Sequence, residues 1–277
     1  MDTVIKVLVE NTTPRSPLLG EYGFSAQVLV DQHNILFDTG SQAALFSNSA
    51  ALGVDLSQVQ DIIISHGHYD HTGAVLPFLE KYGGRNIYAH PGIFAHRLVD
   101  LPGGKQLDIG CRFTKEEAAR MGARVIPIDG FTEIYPGVYL TGEIPRVTEY
   151  EDVGGNFVYE KEGQFYPDLL PDDMALLIDH REGLIILSGC SHSGMINTLD
   201  YCRQQTGRTR VLAYIGGTHL MTASPLRLEK TIEALKSYEV EKLIVGHCTG
   251  FYAAAQLYNR LGGQRVIKME VGASFTF

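Results

Sequence analysis

Tryptophan is absent from this chain, and its 277 residues include only four cysteines, Cys111, Cys190, Cys202 and Cys248. No two of them form a Cys-x-x-Cys pair, which excludes a thioredoxin-type redox motif and a zinc ribbon. No apolar run reaches the roughly 18 residues of a membrane span. The start, Met1-Asp2-Thr3-Val4-Ile5-Lys6-Val7, lacks the basic segment and apolar core of a secretory leader. The expectation is a cytoplasmic protein with no membrane partner. Positive charge is in short supply: 23 Lys and Arg against 32 Asp and Glu leave a net −9. That balance argues against a nucleic-acid surface, but not against a small anionic substrate, because a bound metal supplies positive charge locally. Linkers, charge blocks and low-complexity runs are missing too, so residues 1–277 are expected to form a single domain. What remains is ordinary for a globular chain, with 44% hydrophobic and 20% charged residues and enough apolar surface for a sizeable core.

Apolar runs and their breakers predict alternating strands and helices, an α/β class. Strands are expected at residues 4–9, 25–30, 34–37, 61–65, 86–89, 124–127 and 137–141 in the first part. They resume at 175–179, 184–187, 211–215, 242–245 and 265–271. Helices are expected at 41–52 and 74–82, after a Thr114 cap, up to about Gln204, and at 226–238 and 252–261. Residues 101–110 look irregular and Gly-rich, and 149–171 read as a hairpin or a lid. The two halves are coarse duplicates, each placing its unusual polar residues just past a strand end.

The densest chemistry lies in Ile62-Ile63-Ile64-Ser65-His66-Gly67-His68-Tyr69-Asp70-His71-Thr72-Gly73. A short apolar run ends there in three histidines and an aspartate. Imidazole nitrogens and carboxylate oxygens are ligands that zinc, manganese and iron accept, and no packing role calls for such density. His192, His219 and His247 follow apolar runs in the same way, through Gly189-Cys190-Ser191-His192, Gly216-Gly217-Thr218-His219 and Gly246-His247. Any one of these alone would more often be a hydrogen-bonded loop residue. Loops at the carboxyl ends of strands form the binding crevice of open α/β sheets, so the histidines are expected to converge. Asp38, in Asp38-Thr39-Gly40, is either an Asx turn or a carboxylate orienting a ligand histidine through its second nitrogen; the second reading is preferred. His33, His90, His96 and His180 are taken as surface or structural, and Cys190 and Cys248 as small buried neighbours of the ligands.

His66-Gly67-His68-Tyr69-Asp70-His71 has the form His-x-His-x-Asp-His. With Asp38-Thr39-Gly40 upstream and Val245-Gly246-His247 downstream, nearly the whole chain resembles the metallo-β-lactamase superfamily. The resemblance implies an αβ/βα sandwich, two mixed sheets flanked by helices, with an inserted lid-like segment around residues 95–170. It also implies one or two metal ions, zinc first, with manganese or iron accepting the same donors. By that likeness His66 and His68 bind the first metal, and Asp70, His71 and His247 the second, with Asp38 behind them. His192 would complete the first metal's ligands, and His219 would be a ligand or a substrate-facing base. The superfamily's bridging aspartate has no counterpart at Gly189-Cys190-Ser191-His192, and what replaces it is left open. The flavodiiron branch carries an acid where His68 stands, so hydrolytic chemistry is expected over a redox di-iron centre.

Gly142-Glu143-Ile144-Pro145-Arg146, Gly189-Cys190-Ser191-His192-Ser193-Gly194 and Gly246-His247-Cys248-Thr249-Gly250 resemble a narrower subgroup. It is related to the archaeal dihydropterin-aminobenzene ribofuranosyl phosphate synthase. Three functions follow for comparison. The first is a hydrolase using a metal-activated water on a phosphorylated or other anionic small molecule, with Asp70 or His219 taking the proton. Glu143 and Arg146 are its substrate-binding candidates, Arg146 being either a planar bidentate clamp or a surface ion pair with Glu149. The second is a transferase joining a dihydropterin methyl diphosphate to an aminobenzene ribose phosphate, releasing diphosphate, where a lid would exclude water. The third is a non-catalytic sensor that keeps the metal site. No nucleic-acid partner is expected, and the oligomeric state is left open.

Overall fold

A computed structural model describes residues 1–277. The chain divides into two compact units that are interleaved in sequence. The first holds residues 1–127, 157–168 and 270–277, and the second 128–156 and 169–269. Neither unit is one contiguous stretch, so no linker or change in composition marks the division in the sequence.

The first unit is built on a seven-stranded mixed sheet. Ser274–Thr276, Thr3–Val9, Ser25–Val30 and His33–Phe37 pair antiparallel. His33–Phe37, Asp61–Ile64, Asn86–Ala89 and Arg124–Pro127 then run parallel. Parallel neighbours need a crossover, and helices Ala44–Ala51, Val75–Tyr82 and Lys115–Arg120 supply it. Every residue of Asp61–Ile64 is buried, as a central parallel strand requires. The apolar faces of the helices join Leu36, Ile62, Ile64 and Ile87 in one core. Thr114 and Glu117 form the expected capping box. Pro77 lies within the first turn of its helix, where it displaces no intrahelical bond.

The second unit has a seven-stranded sheet of the same mixed kind. Val266–Lys268, Val240–Val245, Val211–Gly216 and Gly183–Ser188 are parallel, while Ala175–His180, Val138–Leu140 and Thr132–Tyr135 continue antiparallel. Helices Met195–Thr206, Pro225–Ser237 and Phe251–Leu261 cover it, burying Leu199, Leu228, Ile232 and Leu257 against the strands. The duplication seen in the sequence is thus a duplication of mixed sheets.

The segment expected as one inserted lid is shared between the units. His96–Leu101, Lys105–Asp108, Phe157–Lys161 and Gln164–Pro167 form a four-stranded antiparallel sheet in the first. The irregular stretch at 101–110 is therefore a hairpin, with Gly103 and Gly104 at positive φ in its turn. Arg97 and Asp168 anchor this sheet through a 2.6 Å ion pair with side chains 1% and 2% exposed. Residues 142–156 belong instead to the second unit and cross it without regular structure. The strands at 132–135 and 274–276 lie outside the predicted ones, each being too short, at four and three residues, to show a period.

Candidate metal centre

In each unit the polar residues singled out by sequence follow the carboxyl ends of parallel strands. Asp38 follows His33–Phe37, and Ser65-His66 follow Asp61–Ile64. His192, His219 and His247 follow Gly183–Ser188, Val211–Gly216 and Val240–Val245. Four of these turn residues take left-handed backbone conformations without being glycine: Asp38 (φ 57°), Ser191 (55°), His219 (45°) and His247 (49°). Such geometry costs of order 1–3 kcal/mol per residue and persists only where the surroundings enforce it.

In the first unit the enforcing group is Asp38, which is wholly buried. Its Oδ1 accepts the Ser65 amide at 2.7 Å, and its Oδ2 accepts the Ser65 hydroxyl at 2.7 Å. Oδ2 also meets His71 Nδ1 at 2.7 Å, and Ser65 Oγ lies 2.9 Å from His66 Nδ1. Because Ser65 spends its proton on Asp38, its oxygen accepts from His66. The network therefore assigns the proton to Nδ1 in both His66 and His71, and both rings present Nε2. The Asx-turn alternative for Asp38 gives way to this orienting role. The loop is also tied by backbone, with the Tyr69 amide donating to Ile109 and the Thr39 amide to His71, each at 2.9 Å. Gly67 is required: a Cβ there would lie 2.1 Å from the Ile93 carbonyl oxygen and 2.6 Å from Arg97 Nη1.

Whether a metal fits these residues is answered by the donor spacing. His66 Nε2 and His68 Nδ1 are 3.0 Å apart. Two nitrogens on one tetrahedral zinc, at about 2.0–2.1 Å each, would be roughly 3.3 Å apart. Asp70 Oδ2 and His71 Nε2 stand 3.6 Å apart, too long for a hydrogen bond and suited to a shared cation. All four side chains are buried. The set fits a divalent ion.

The second unit supplies its donors differently. His192 Nδ1 donates to the Val153 carbonyl at 2.8 Å, again presenting Nε2. Its ring centroid lies 4.2 Å from that of His219. Donor atoms of Cys190, His192 and His219 fall within 4.8 Å of one another, and so do those of Cys190, His247 and Cys248. Ser191 fastens the turn, its hydroxyl bonding Ser188 Oγ, the Tyr214 hydroxyl and the Gly217 carbonyl. The Cys248 sulfur accepts the His219 amide at 3.3 Å. Burial opposes ionisation of Cys248, yet its contacts with Cys190, His247 and His219 outweigh that and hold its thiol well below the ordinary range.

Cys190 and Cys248, expected only as small buried neighbours of the histidines, have sulfur atoms close enough to the imidazole nitrogens to share a cation with them. The available signal was position: each follows a strand end beside a histidine, whereas Cys202 sits inside helix Met195–Thr206 with its thiol pushed up by burial to about 12.

Residues 146–154 form a strap that the sequence did not reveal. Arg146 Nη1 donates to the His192 carbonyl at 2.6 Å and Nη2 to that of Leu169. Burial draws its pKa below the ordinary arginine value, with Asp173 and Glu151 pulling the other way. A fork engaged by two main-chain carbonyls braces the His192 turn, which favours a positioning role for Arg146 over the clamp. Glu143 is exposed. Glu151 accepts the Ile196 and Asn197 amides at 2.9 and 2.8 Å, capping the helix that follows His192. Gly154 lies so close to His219 that a Cβ would meet the ring Cδ2 at 2.0 Å. Asp173, fully buried, accepts the Ser193 amide at 2.8 Å, and burial raises its carboxyl to about 6.

Three comparisons place the chain among known proteins. The family model of the metallo-β-lactamase superfamily matches residues 22–247. The chain is 31% identical over 269 residues to a Methanocaldococcus jannaschii protein, covering 91% of this chain and 92% of that one. That relative is named 7,8-dihydropterin-6-methyl-4-(β-D-ribofuranosyl)-aminobenzene-5'-phosphate synthase. A crystal structure described as a metal-dependent hydrolase of the β-lactamase superfamily superposes with a TM-score of 0.83 at 28% identity, covering 99% of this chain and 98% of that one. Zn2+-bound PqqB from Methylobacterium extorquens shares the fold alone, with a TM-score of 0.57 at 14% identity and 99% of each chain covered. The motif, the oriented imidazoles, a family match over most of the length and a relative aligned across nearly all of it agree: the chain belongs to the metallo-β-lactamase superfamily.

Proposed function

We propose that this protein is a cytoplasmic metal-dependent hydrolase acting on a phosphorylated or otherwise anionic small molecule. His66, His68, Asp70, His71, His192, His219 and His247 are its proposed ligands, for one or two ions, with zinc first. The observation that carries the reading is the Asp38 network, which fixes the tautomers of His66 and His71 so that both present Nε2. A divalent ion there would supply Lewis acidity and a water activated near neutral pH. The protein's own groups do the rest. Asp38 holds two imidazoles in one tautomer and orientation, so no reorganisation is needed during turnover. Asp70 and His219 are the proposed proton carriers, His219 being pinned by Gly154 beneath its ring. Arg146 and Val153 hold His192 by its carbonyl and its Nδ1, and Glu143, exposed just ahead of that strap, is the proposed substrate-facing residue. Elemental analysis of purified protein, with turnover of a generic phosphodiester, tests this. Metal-free protein whose His68→Ala variant behaves as wild type would sink it.

A second reading has its own support, since the 31% identical relative is named as a synthase. In that reaction an arylamine, not water, displaces diphosphate from a pterin methyl diphosphate. Diphosphate release that requires both reactants would select it over hydrolysis.

A further inference from the structure

We propose that the Cys190 thiolate is the shared ligand of a two-metal centre, bridging its ions in the place left by the absent aspartate. This rests on the metalloenzyme reading above. Within the second unit, Cys190 is the one residue common to two separate donor groups. One contains His192 and His219, the other His247 and Cys248, and in each the donor atoms lie within 4.8 Å of one another. A donor that belongs to both sets stands where a bridging atom must stand. Cys248 is less suited, for within the second unit it joins only one set.

The turn carrying Cys190 is built to hold it still. The Gly217 amide donates to the Gly189 carbonyl at 3.0 Å, so two strand ends are tied across the residue just before the cysteine. Ser191, just after it, takes the left-handed conformation, with its hydroxyl bonded among Ser188, Tyr214 and Gly217. Gly217 has no alternative, because a Cβ there would lie 2.5 Å from the Cys248 sulfur and 2.5 Å from the Gly189 oxygen. A thiolate keeps several lone pairs on one atom and is soft, so it can serve two ions at once and favours zinc or iron over magnesium. On binding, the thiol releases its proton to solvent, and no oxidant or reductant is involved.

The test compares cobalt-substituted wild type with the Cys190→Ser, Cys190→Asp, Cys248→Ser and Cys111→Ser variants. Readouts are metal equivalents by elemental analysis, the near-ultraviolet thiolate-to-cobalt absorption, and spin coupling between the cobalt ions. Circular dichroism establishes that each variant is folded. Wild type and Cys111→Ser are expected to hold two ions with the thiolate band and coupled spins. Cys190→Ser should lose at least one equivalent and the coupling. Cys190→Asp should regain the second ion through a carboxylate bridge, with a weaker thiolate band than wild type. Two coupled ions persisting in Cys190→Ser would overturn the bridge, as would a wild type holding one ion. A thiolate band lost in Cys248→Ser but unchanged in Cys190→Ser would also overturn it, assigning the sulfur to Cys248. Wild type that binds no ion at all would instead remove the metalloenzyme reading beneath it.

Discussion

The two units assemble their donors by opposite routes. In the first, His66, His68, Asp70 and His71 come from a single turn, and one buried carboxylate, Asp38, organises it. In the second, the donors come from three strand ends far apart in sequence, and a strap of residues 146–154 braces them from outside the sheet. A compact donor set stands or falls with one anchor. A distributed set spreads its support over several weaker contacts, each of which can be removed alone.

That contrast can be broken most forcefully at the proposed ligands. His68→Ala and His192→Ala should each lower turnover by about 10^3-fold, or roughly 4 kcal/mol of activation free energy, while the chain stays folded. Turnover of a phosphodiester with metal content alongside measures this; an active His192→Ala enzyme would confine the chemistry to the first unit. Next comes Asp38→Ala, which leaves the donors on Ser65 and His71 without their buried acceptor and should cost about 3–5 kcal/mol of stability. Denaturant unfolding reads it, and a loss below 1 kcal/mol would mean the first unit has no single anchor.

Asp173 sharpens the comparison through pH. Its carboxyl is raised from 3.8 to about 6 by burial, so the fold favours the neutral form. The stability it contributes is full below pH 3.8 and is lost as pH rises through about 6. Asp173→Asn, which stays neutral, should therefore gain on wild type between pH 4 and 7, by at most about 3 kcal/mol. Parallel stability profiles for the two proteins would contradict the shift. Gly154→Ala forces a methyl into the His219 ring at positive φ and should cost about 1–3 kcal/mol, visible as a lower melting temperature. Smallest is Arg146→Ala, expected to reduce kcat about 10-fold with KM unchanged, since the guanidinium braces His192 and is not expected to bind substrate. A rise in KM alone would restore the clamp reading.

The same contrast explains what could be read from residues in order. The hexapeptide His66–His71 announces itself because its donors are neighbours, and the central strands do so because burial on both faces leaves continuous apolar runs, as in Ile62-Ile63-Ile64. The hairpin at 96–108 was hidden, since five of the six residues of its first strand lack full burial and Lys105–Asp108 is exposed throughout, leaving no apolar pattern to read. The strap was hidden for another reason. Arg146, Glu151, Val153 and Gly154 act on His192, on the amides of Ile196 and Asn197, and on His219, through bonds that span dozens of residues. Cys190 and Cys248 gave no comparable signal, because a lone cysteine near a strand end is most often a small buried residue, and their proximity to the histidines is a tertiary fact.

Taken alone, the sequence determined the α/β class, most strands and helices, and the histidines, because periodicity and ligand spacing are local properties of the chain. Only the tertiary structure decided which protons the imidazoles carry, that Arg146 braces a turn, and that Cys190 belongs to two donor sets. Each of those depends on which distant backbone groups come within about 3–5 Å, and no local pattern encodes that.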